Sequence, residues 1–441
     1  MSAATLHELI DVQALRVGMV VHLDGGWMAH PFPLSRFKIS SAEQIATIRS
    51  LGLKRVRWEP QFSDVAAAVD GSQTADHGAS PAPAKQTTLV AVAGAAEATV
   101  PPESPEEQLR KTHRQRLAVQ RETQQLCERQ FAEAASACGE LTRLAAARPL
   151  EAGGQAQALS RALVDKMLGA QEMCIQLLSG TAGSKASAHA LNVSILSLLL
   201  GRKLALSEAQ MLDLGVGAML HDIGKLDLPD RVKHREEHFI AAEVKEYEEH
   251  VAHGVVQARR MGLAAGATLV VAQHHEHHDG SGFPLRLGAH KLTLPARIVA
   301  LVNRYDNLCN PNLAARALTP HEALALLFAG SAPKFDATVM ASFIKMMGVY
   351  PPGSTVQLSD ERFALVVNVN ATRPLKPSVL VHDAKVPRDE ALVLDLQAQP
   401  GLSIRRSLKP LQLPAPALNY LAPARRVAYF FEPARELDEV T

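Results

Sequence analysis

Eleven of the 18 histidines in this 441-residue chain fall between His189 and His290, on segments whose apolar residues recur at helical spacing. Neutral imidazole is the commonest side-chain metal ligand, so this crowding points to a fold in which several helices converge on one polar locus. His189 projects from the helical face of Leu191, Ile195 and Leu198, and His221-Asp222 ends the apolar face of Leu212, Val216, Met219 and Leu220. His250 lies in Glu248-Glu249-His250-Val251-Ala252-His253-Gly254, and His274-His275-Glu276 precedes Asp279-Gly280-Ser281-Gly282-Phe283-Pro284. Adjacent His and Asp near a helix end can aim at one point, and a carboxylate has two oxygens with which to bridge two cations. A single helical histidine is more often an ordinary core or surface residue; the ordered set carries the reading. His253, His277, His278 and His290 are read as exposed or supporting residues, and Asp279 as the residue that sets an Asp-Gly turn.

Around this centre the chain divides into segments of different character. Residues 1–63 read as a small α+β domain: a strand with alternating burial from Val17 to Leu23, a helix capped by Ser40 with Glu43 and stopped at Gly52, and a strand at Val56 and Trp58. Residues 64–105 are rich in Ala, Pro, Gly, Ser and Thr and read as a linker, because they hold too little to bury. Residues 106–154 read as a helical connector with a thin apolar stripe (Leu109, Leu117, Leu126, Phe131), compatible with a coiled-coil homodimer contact but without a sustained heptad. Residues 155–350 read as an all-α bundle, with helix starts at Ser207 with Gln210 and at Thr319 with Glu322. Residues 351–441 read as a β-rich C-terminal extension, from the alternation of Phe363, Leu365, Val367 and Val369 and the runs at 379–381 and 391–396. The whole is mainly α.

Composition narrows the function. With 46 Lys+Arg against 45 Asp+Glu there is no general basic field and no basic, aromatic-studded stripe, which argues against nucleic acid as a partner. Four cysteines form no Cys-x-x-Cys pair and read as free thiols of a reducing compartment. The apolar run at Ile195 to Leu200 stops at Gly201-Arg202-Lys203, short of a membrane span, so the expected location is the cytoplasm.

The ordered set His189, His221-Asp222-Ile223-Gly224-Lys225, His250 with Gly254, and His274-His275-Glu276 through Gly280, Gly282 and Pro284 resembles the HD-GYP family of bacterial cyclic di-GMP phosphodiesterases, a subgroup of the HD metal-dependent phosphohydrolases. The resemblance runs through Ala296-Arg297-Ile298-Val299-Ala300 to the helix opening at Thr319. Leu15-Arg16-Val17-Gly18-Met19-Val20, with Trp27, His30-Pro31-Phe32 and Phe37, is similar to the small domain of unknown function that often precedes this family's catalytic domain. The resemblance implies an all-α HD-type bundle holding two divalent cations, iron or manganese, that hydrolyses cyclic di-GMP to linear diguanylate or GMP. By position it implies one metal on His189, His221 and Asp222 and a second on Asp222, His250, His274 and His275. Lys225 would hold a phosphate oxygen, and Gly280, Gly282, Phe283 and Pro284 would form the signature loop beside the substrate, with Phe283 in place of the family's tyrosine. Asp222 and Lys225 are thus the catalytic candidates.

Four positions depart from the family pattern. The aspartate that completes the first metal's shell falls at Asn303, whose amide brings no charge, with Asp306 one turn on as an alternative ligand. The glutamate associated with a third metal falls at Lys185, which disfavours a trinuclear site. The phosphate-gripping basic residues fall at Asn312 and Ala315, with Arg316 adjacent as a partial replacement. Three functions follow: an active phosphodiesterase; a degenerate relative that binds nucleotide or a partner such as a diguanylate cyclase without efficient catalysis; or a phosphohydrolase of another ester, against which the intact glycine-proline loop argues.

Overall fold

The computed structural model describes residues 8–23, 36–39, 41–60, 63, 104–169, 172–180, 182–234, 239–330, 332–370 and 372–434. Ser40, Trp27, His30-Pro31-Phe32 and nearly all of the 64–105 stretch lie outside them. The chain forms two compact units, one of residues 1–30 and 34–115, the other of 31–33 and 116–441.

In the first unit an antiparallel sheet of order β1-β4-β2-β3 (β1 Glu8–Asp11, β2 Val20–His22, β3 Arg36–Lys38, β4 Arg55–Trp58) carries helix α1 (Ala42–Ser50). Met19, Val21, Leu23, Ile48, Val56 and Trp58 are buried. Two expectations shift by local chemistry. The helix cap is Ser41, whose hydroxyl accepts from the Gln44 amide at 3.3 Å, one residue after the expected Ser40. The strand begins at Val20, because Gly18 turns the chain at φ +97°.

A single 43-residue helix, α2 (Pro105–Ala147), leads into α3 (Pro149–Leu168). Its second half is buried through Cys127, Phe131, Ala134, Cys138, Leu141 and Leu144, whereas Leu109 is exposed. Strand β5 (Met173–Leu177) follows, then helices α4 (Lys185–Lys203), α5 (Glu208–Leu220), α6 (Ala241–Glu248), α7 (His250–Arg260), α8 (Ala265–Gln273), α9 (Leu294–Cys309), α10 (Pro320–Gly330) and α11 (Ala337–Met347). Helix α4 packs against α5, α9 and α11 and is buried nearly all round, which is why its apolar residues run without the polar face of a surface helix. Reciprocal capping boxes start α5 (Ser207 with Gln210) and α10 (Thr319 with Glu322).

The C-terminal part supplies β6 (Thr355–Leu358), β7 (Phe363–Asn370), β8 (Ser378–Val381), β9 (Val393–Asp395), β10 (Ile404–Leu408), helix α12 (Ala415–Leu421) and β11 (Tyr429–Pro433). They form one antiparallel sheet of order β10-β6-β7-β5-β11, with β8 and β9 extending from β7. The region 155–350 is therefore not purely helical: its β5 pairs with β7 on one side and β11 on the other. Met173, Ile175 and Leu177 alternate into the core while Cys174 and Gln176 do not, a short period-2 signal inside a long helical background. Among the described residues no helix is long and apolar enough to cross a membrane, and the four cysteines are free.

Candidate metal centre

Three histidines sit at helix ends, where the backbone geometry decides which ring nitrogen is available. His221 follows the last residue of α5 and donates from Nδ1 to the Ala218 carbonyl at 2.7 Å; His274 follows α8 and donates to the Val271 carbonyl at 2.8 Å. His250, the first residue of α7, donates from Nδ1 to the Tyr247 carbonyl in the last turn of α6 at 2.5 Å. Each satisfies a carbonyl that its helix end leaves unpaired, and each thereby fixes the proton on Nδ1 and the lone pair on Nε2. On α4, His189 achieves the same with a carboxylate: its Nδ1 lies 2.6 Å from Asp306 Oδ2.

The free Nε2 atoms converge in pairs. His189 and His221 bring theirs to 3.2 Å, and His250 and His274 to 3.4 Å. With both protons committed to Nδ1 these contacts are not hydrogen bonds; they oppose two lone pairs, an arrangement that a cation between them stabilises. Asp222 lies between the pairs. Its Oδ2 is 3.8 Å from His189 Nε2 and 3.5 Å from His221 Nε2; its Oδ1 is 3.6 Å from His250 Nε2 and 3.7 Å from His274 Nε2. Two groups with metal-ligand spacing result, His189-His221-Asp222 and Asp222-His250-His274-His275, sharing the one carboxylate. Asp222 Oδ1 and His275 Nε2 are buried and have no hydrogen-bond partner among the described residues, as donors awaiting a cation would be.

Burial favours the neutral, ligating form of His221, His250 and His275. It pushes the His221 and His250 imidazoles down to about 3 and His275 well below its usual range. Burial alone would raise the Asp222 carboxyl, but Lys225 and the surrounding imidazoles hold it well below the ordinary carboxylate range. Lys225 Nζ pairs with Asp222 Oδ2 at 2.6 Å and lies 5.4 Å above the centre of the Tyr247 ring.

Asp306 is not placed as a substitute ligand. It is fully buried, Oδ2 is engaged by His189, and Oδ1 accepts from Asn192 at 3.0 Å and Asn310 at 2.9 Å. It orients His189 instead, the part a carboxylate plays behind a metal-bound imidazole. Asp306→Asn is expected to lower metal affinity about 10- to 100-fold while the fold is retained, read by competition against a chromophoric chelator.

The loop after α8 is folded back onto the histidines. Phe283 donates its amide to the His275 carbonyl at 3.1 Å and stacks on the His275 ring at 4.4 Å. Gly282 admits no side chain, because a Cβ would overlap the backbone of His275, Glu276 and His277. Glu276, buried, ties down the far side of the loop by accepting from the Leu285 and Leu287 amides at 2.7 and 2.9 Å, a role its place in His274-His275-Glu276 did not disclose. Asp279 accepts from Ser281 at 2.9 Å, setting the turn in which Gly280 takes φ +76°. A cavity of about 1500 Å³ opens over the centre, walled by this loop, α4, α9 and the chain before β11.

Residues 170–339 match the HD domain family, and residues 8–154 match a family described as a domain of unknown function, DUF3391. Curated relatives include the cyclic di-GMP phosphodiesterase PA4108 of Pseudomonas aeruginosa, 28% identical over 46% of this chain and 50% of that one. The cyclic di-GMP phosphodiesterase PdeB of Borreliella burgdorferi is 22% identical over 45% of this chain and 53% of that one. Residues 170–339 are thus similar to the HD domain family, and the matched relatives are named cyclic di-GMP phosphodiesterases. The chain spans about half the length of these relatives. A solved structure, Bd1817, a HDG"Y"P protein from Bdellovibrio bacteriovorus, aligns at 14% identity with a TM-score of 0.40, covering 76% of this chain and 98% of that one.

The departures from the HD-GYP pattern have definite places. Asn303 is buried in α9, and its Oδ1 accepts from Asn307 at 2.6 Å. Lys185, at the start of α4, donates to Asn312 Oδ1 at 2.9 Å. Ala315 sits in a short 3-10 turn, Ala314–Arg316, whose Arg316 lines the cavity.

Proposed function

We propose that the chain is a metal-dependent phosphodiesterase that hydrolyses cyclic di-GMP to linear diguanylate or GMP, and that its two histidine groups, which share Asp222, would hold two divalent cations, iron or manganese. The observation that carries this reading is the pair of opposed-lone-pair histidine groups sharing one carboxylate beneath a nucleotide-sized cavity. The names of the matched relatives support the substrate class.

Two bound cations would acidify water and neutralise charge on the phosphoryl oxygens. The chain's own residues do the rest. The Nδ1 locks on His189, His221, His250 and His274 hold four Nε2 atoms in place with little reorganisation, and Asp306 strengthens His189 as a donor. Lys225, poised on Asp222, offers a point charge to a non-bridging phosphate oxygen. Gly280, Gly282, Phe283 and Pro284 form the cavity wall beside His275, with Phe283 giving an apolar ring and no hydroxyl. Arg316 stands on the same cavity as a further phosphate contact.

A second reading, a relative that binds nucleotide or a signalling protein without efficient turnover, is favoured by Asn303, which brings no charge to the first metal group. Asn303→Asp separates the two. The substituted carboxylate still accepts from Asn307 and adds a charge, so metal affinity at the His189-His221 group is expected to rise about tenfold and turnover with it. Unchanged metal content and turnover would remove Asn303 from the account. The reading itself is tested by incubating anaerobically purified protein, loaded with ferrous iron or manganese, with cyclic di-GMP and separating products by chromatography; no product from folded, loaded protein would favour the binding role.

A further inference from the structure

The basic residues that would grip substrate phosphates have become Asn312 and Ala315, yet the cavity wall near Asn312 is not without charge. Arg426 lies in the C-terminal segment between α12 and β11, beyond the matched HD domain, and lines the same cavity as Lys185 and Asn312. The backbone carrying it is stitched to the metal centre. Asn310 donates to the Val427 carbonyl and accepts from the Val427 amide, both at 2.9 Å. Asn192 donates to the same carbonyl at 2.9 Å and accepts from the Tyr429 amide at 3.0 Å. Both asparagines also donate to Asp306, which orients His189. Arg426 is thus held next to a clamp whose other end supports a metal-group histidine.

Arg426 is half-buried and makes no hydrogen bond or ion pair with a described residue. Lys185 has a neutral amide, Asn312, as its hydrogen-bond acceptor and, among the described residues, no carboxylate in ion-pair range. Lys185, Lys225 and Arg426 all line the one cavity; burial first, then the like charges of Arg426 and Lys225, lower the Lys185 ammonium from its usual value, with Asp306 opposing them. Cations at a cavity edge that have no carboxylate partner among the described residues are stabilised by an anionic ligand oxygen.

Resting on the cyclic di-GMP reading, we infer that Arg426 and Lys185 form the phosphate-gripping edge of this cavity, so that the C-terminal extension completes the substrate site. The guanidinium offers a planar two-pronged contact to non-bridging oxygens and Lys185 a point charge beside it. The ligand class is a cyclic dinucleotide phosphodiester.

The test is calorimetric binding of a phosphorothioate analogue of cyclic di-GMP, which resists cleavage, to the metal-loaded full chain. Arg426→Gln and Lys185→Gln are each expected to weaken binding at least tenfold with metal content and melting temperature unchanged. Arg426→Lys should recover only part of the loss, and the salt dependence of binding should become shallower in both glutamine variants. If the wild type binds the analogue and both glutamine variants bind it equally well, this inference is overturned while the substrate reading stands. If the wild type binds no analogue, the substrate reading fails and this inference falls with it.

Discussion

Asp222→Ala is expected to abolish metal binding at both groups at once, taking the metal content of the purified chain from about two equivalents to about none. The two carboxylate oxygens are divided between the histidine pairs, Oδ2 toward His189 and His221 and Oδ1 toward His250 and His274, so one substitution removes a donor from each. It also strips Lys225 of its ion-pair partner and leaves an ammonium beside the remaining imidazoles, which opposes any cation there. Elemental analysis reads the content, and thermal melting with and without manganese reads the linkage: a ligand at about a thousandfold its dissociation constant stabilises by about 4 kcal/mol, and the variant should show no such gain. His253→Ala, on the same helix as His250 but in neither group, should retain the wild-type content. One equivalent persisting in Asp222→Ala would mean that the groups do not depend on a shared carboxylate.

Gly224→Ala is the second large effect. The turn Ile223–Asp227 after Asp222 lies against α7 with no room for a side chain: a Cβ at Gly224 would overlap the His250 carbonyl oxygen and the Gly254 amide nitrogen and come within 2.9 Å of the Gly254 Cα. All three are backbone atoms, so relief requires moving the turn or the helix, with an expected loss of about 3 kcal/mol in denaturant unfolding. The two glycines let backbone meet backbone, and that approach sets His221 and Asp222 beside His250. A variant that stays folded is therefore also expected to bind metal more weakly, whereas wild-type stability and metal content would show that the contact can relax.

How much of this was legible in the chain follows from the range of each interaction. His221-Asp222, His250 and His274-His275 could be picked out because they close helices or open them beside apolar stripes, and helix ends are local signals. Gly224, Gly254 and Gly282 stood in the motifs, but what they touch is set by tertiary approach. Asp306 read as a spare ligand because its spacing from Asn303 is one helical turn; its true engagement with His189 joins residues 117 apart. Strand β5 went unread because its alternation covers five residues, and its partner β11 lies more than 250 positions away. Arg426 carried no local mark at all. Its placement depends on Asn192 in α4 and Asn310 just after α9, isolated asparagines with nothing in the sequence to tie them to Val427 until the fold brings them there.

The measurement that bears most directly on the central claim is electron paramagnetic resonance of the wild-type chain as manganese is titrated into it. A carboxylate-bridged pair predicts that the signal develops into that of an exchange-coupled centre as the second equivalent is added, and that Asp222→Ala never develops it. Saturation at one equivalent with the hyperfine pattern of an isolated ion would contradict the shared-carboxylate centre.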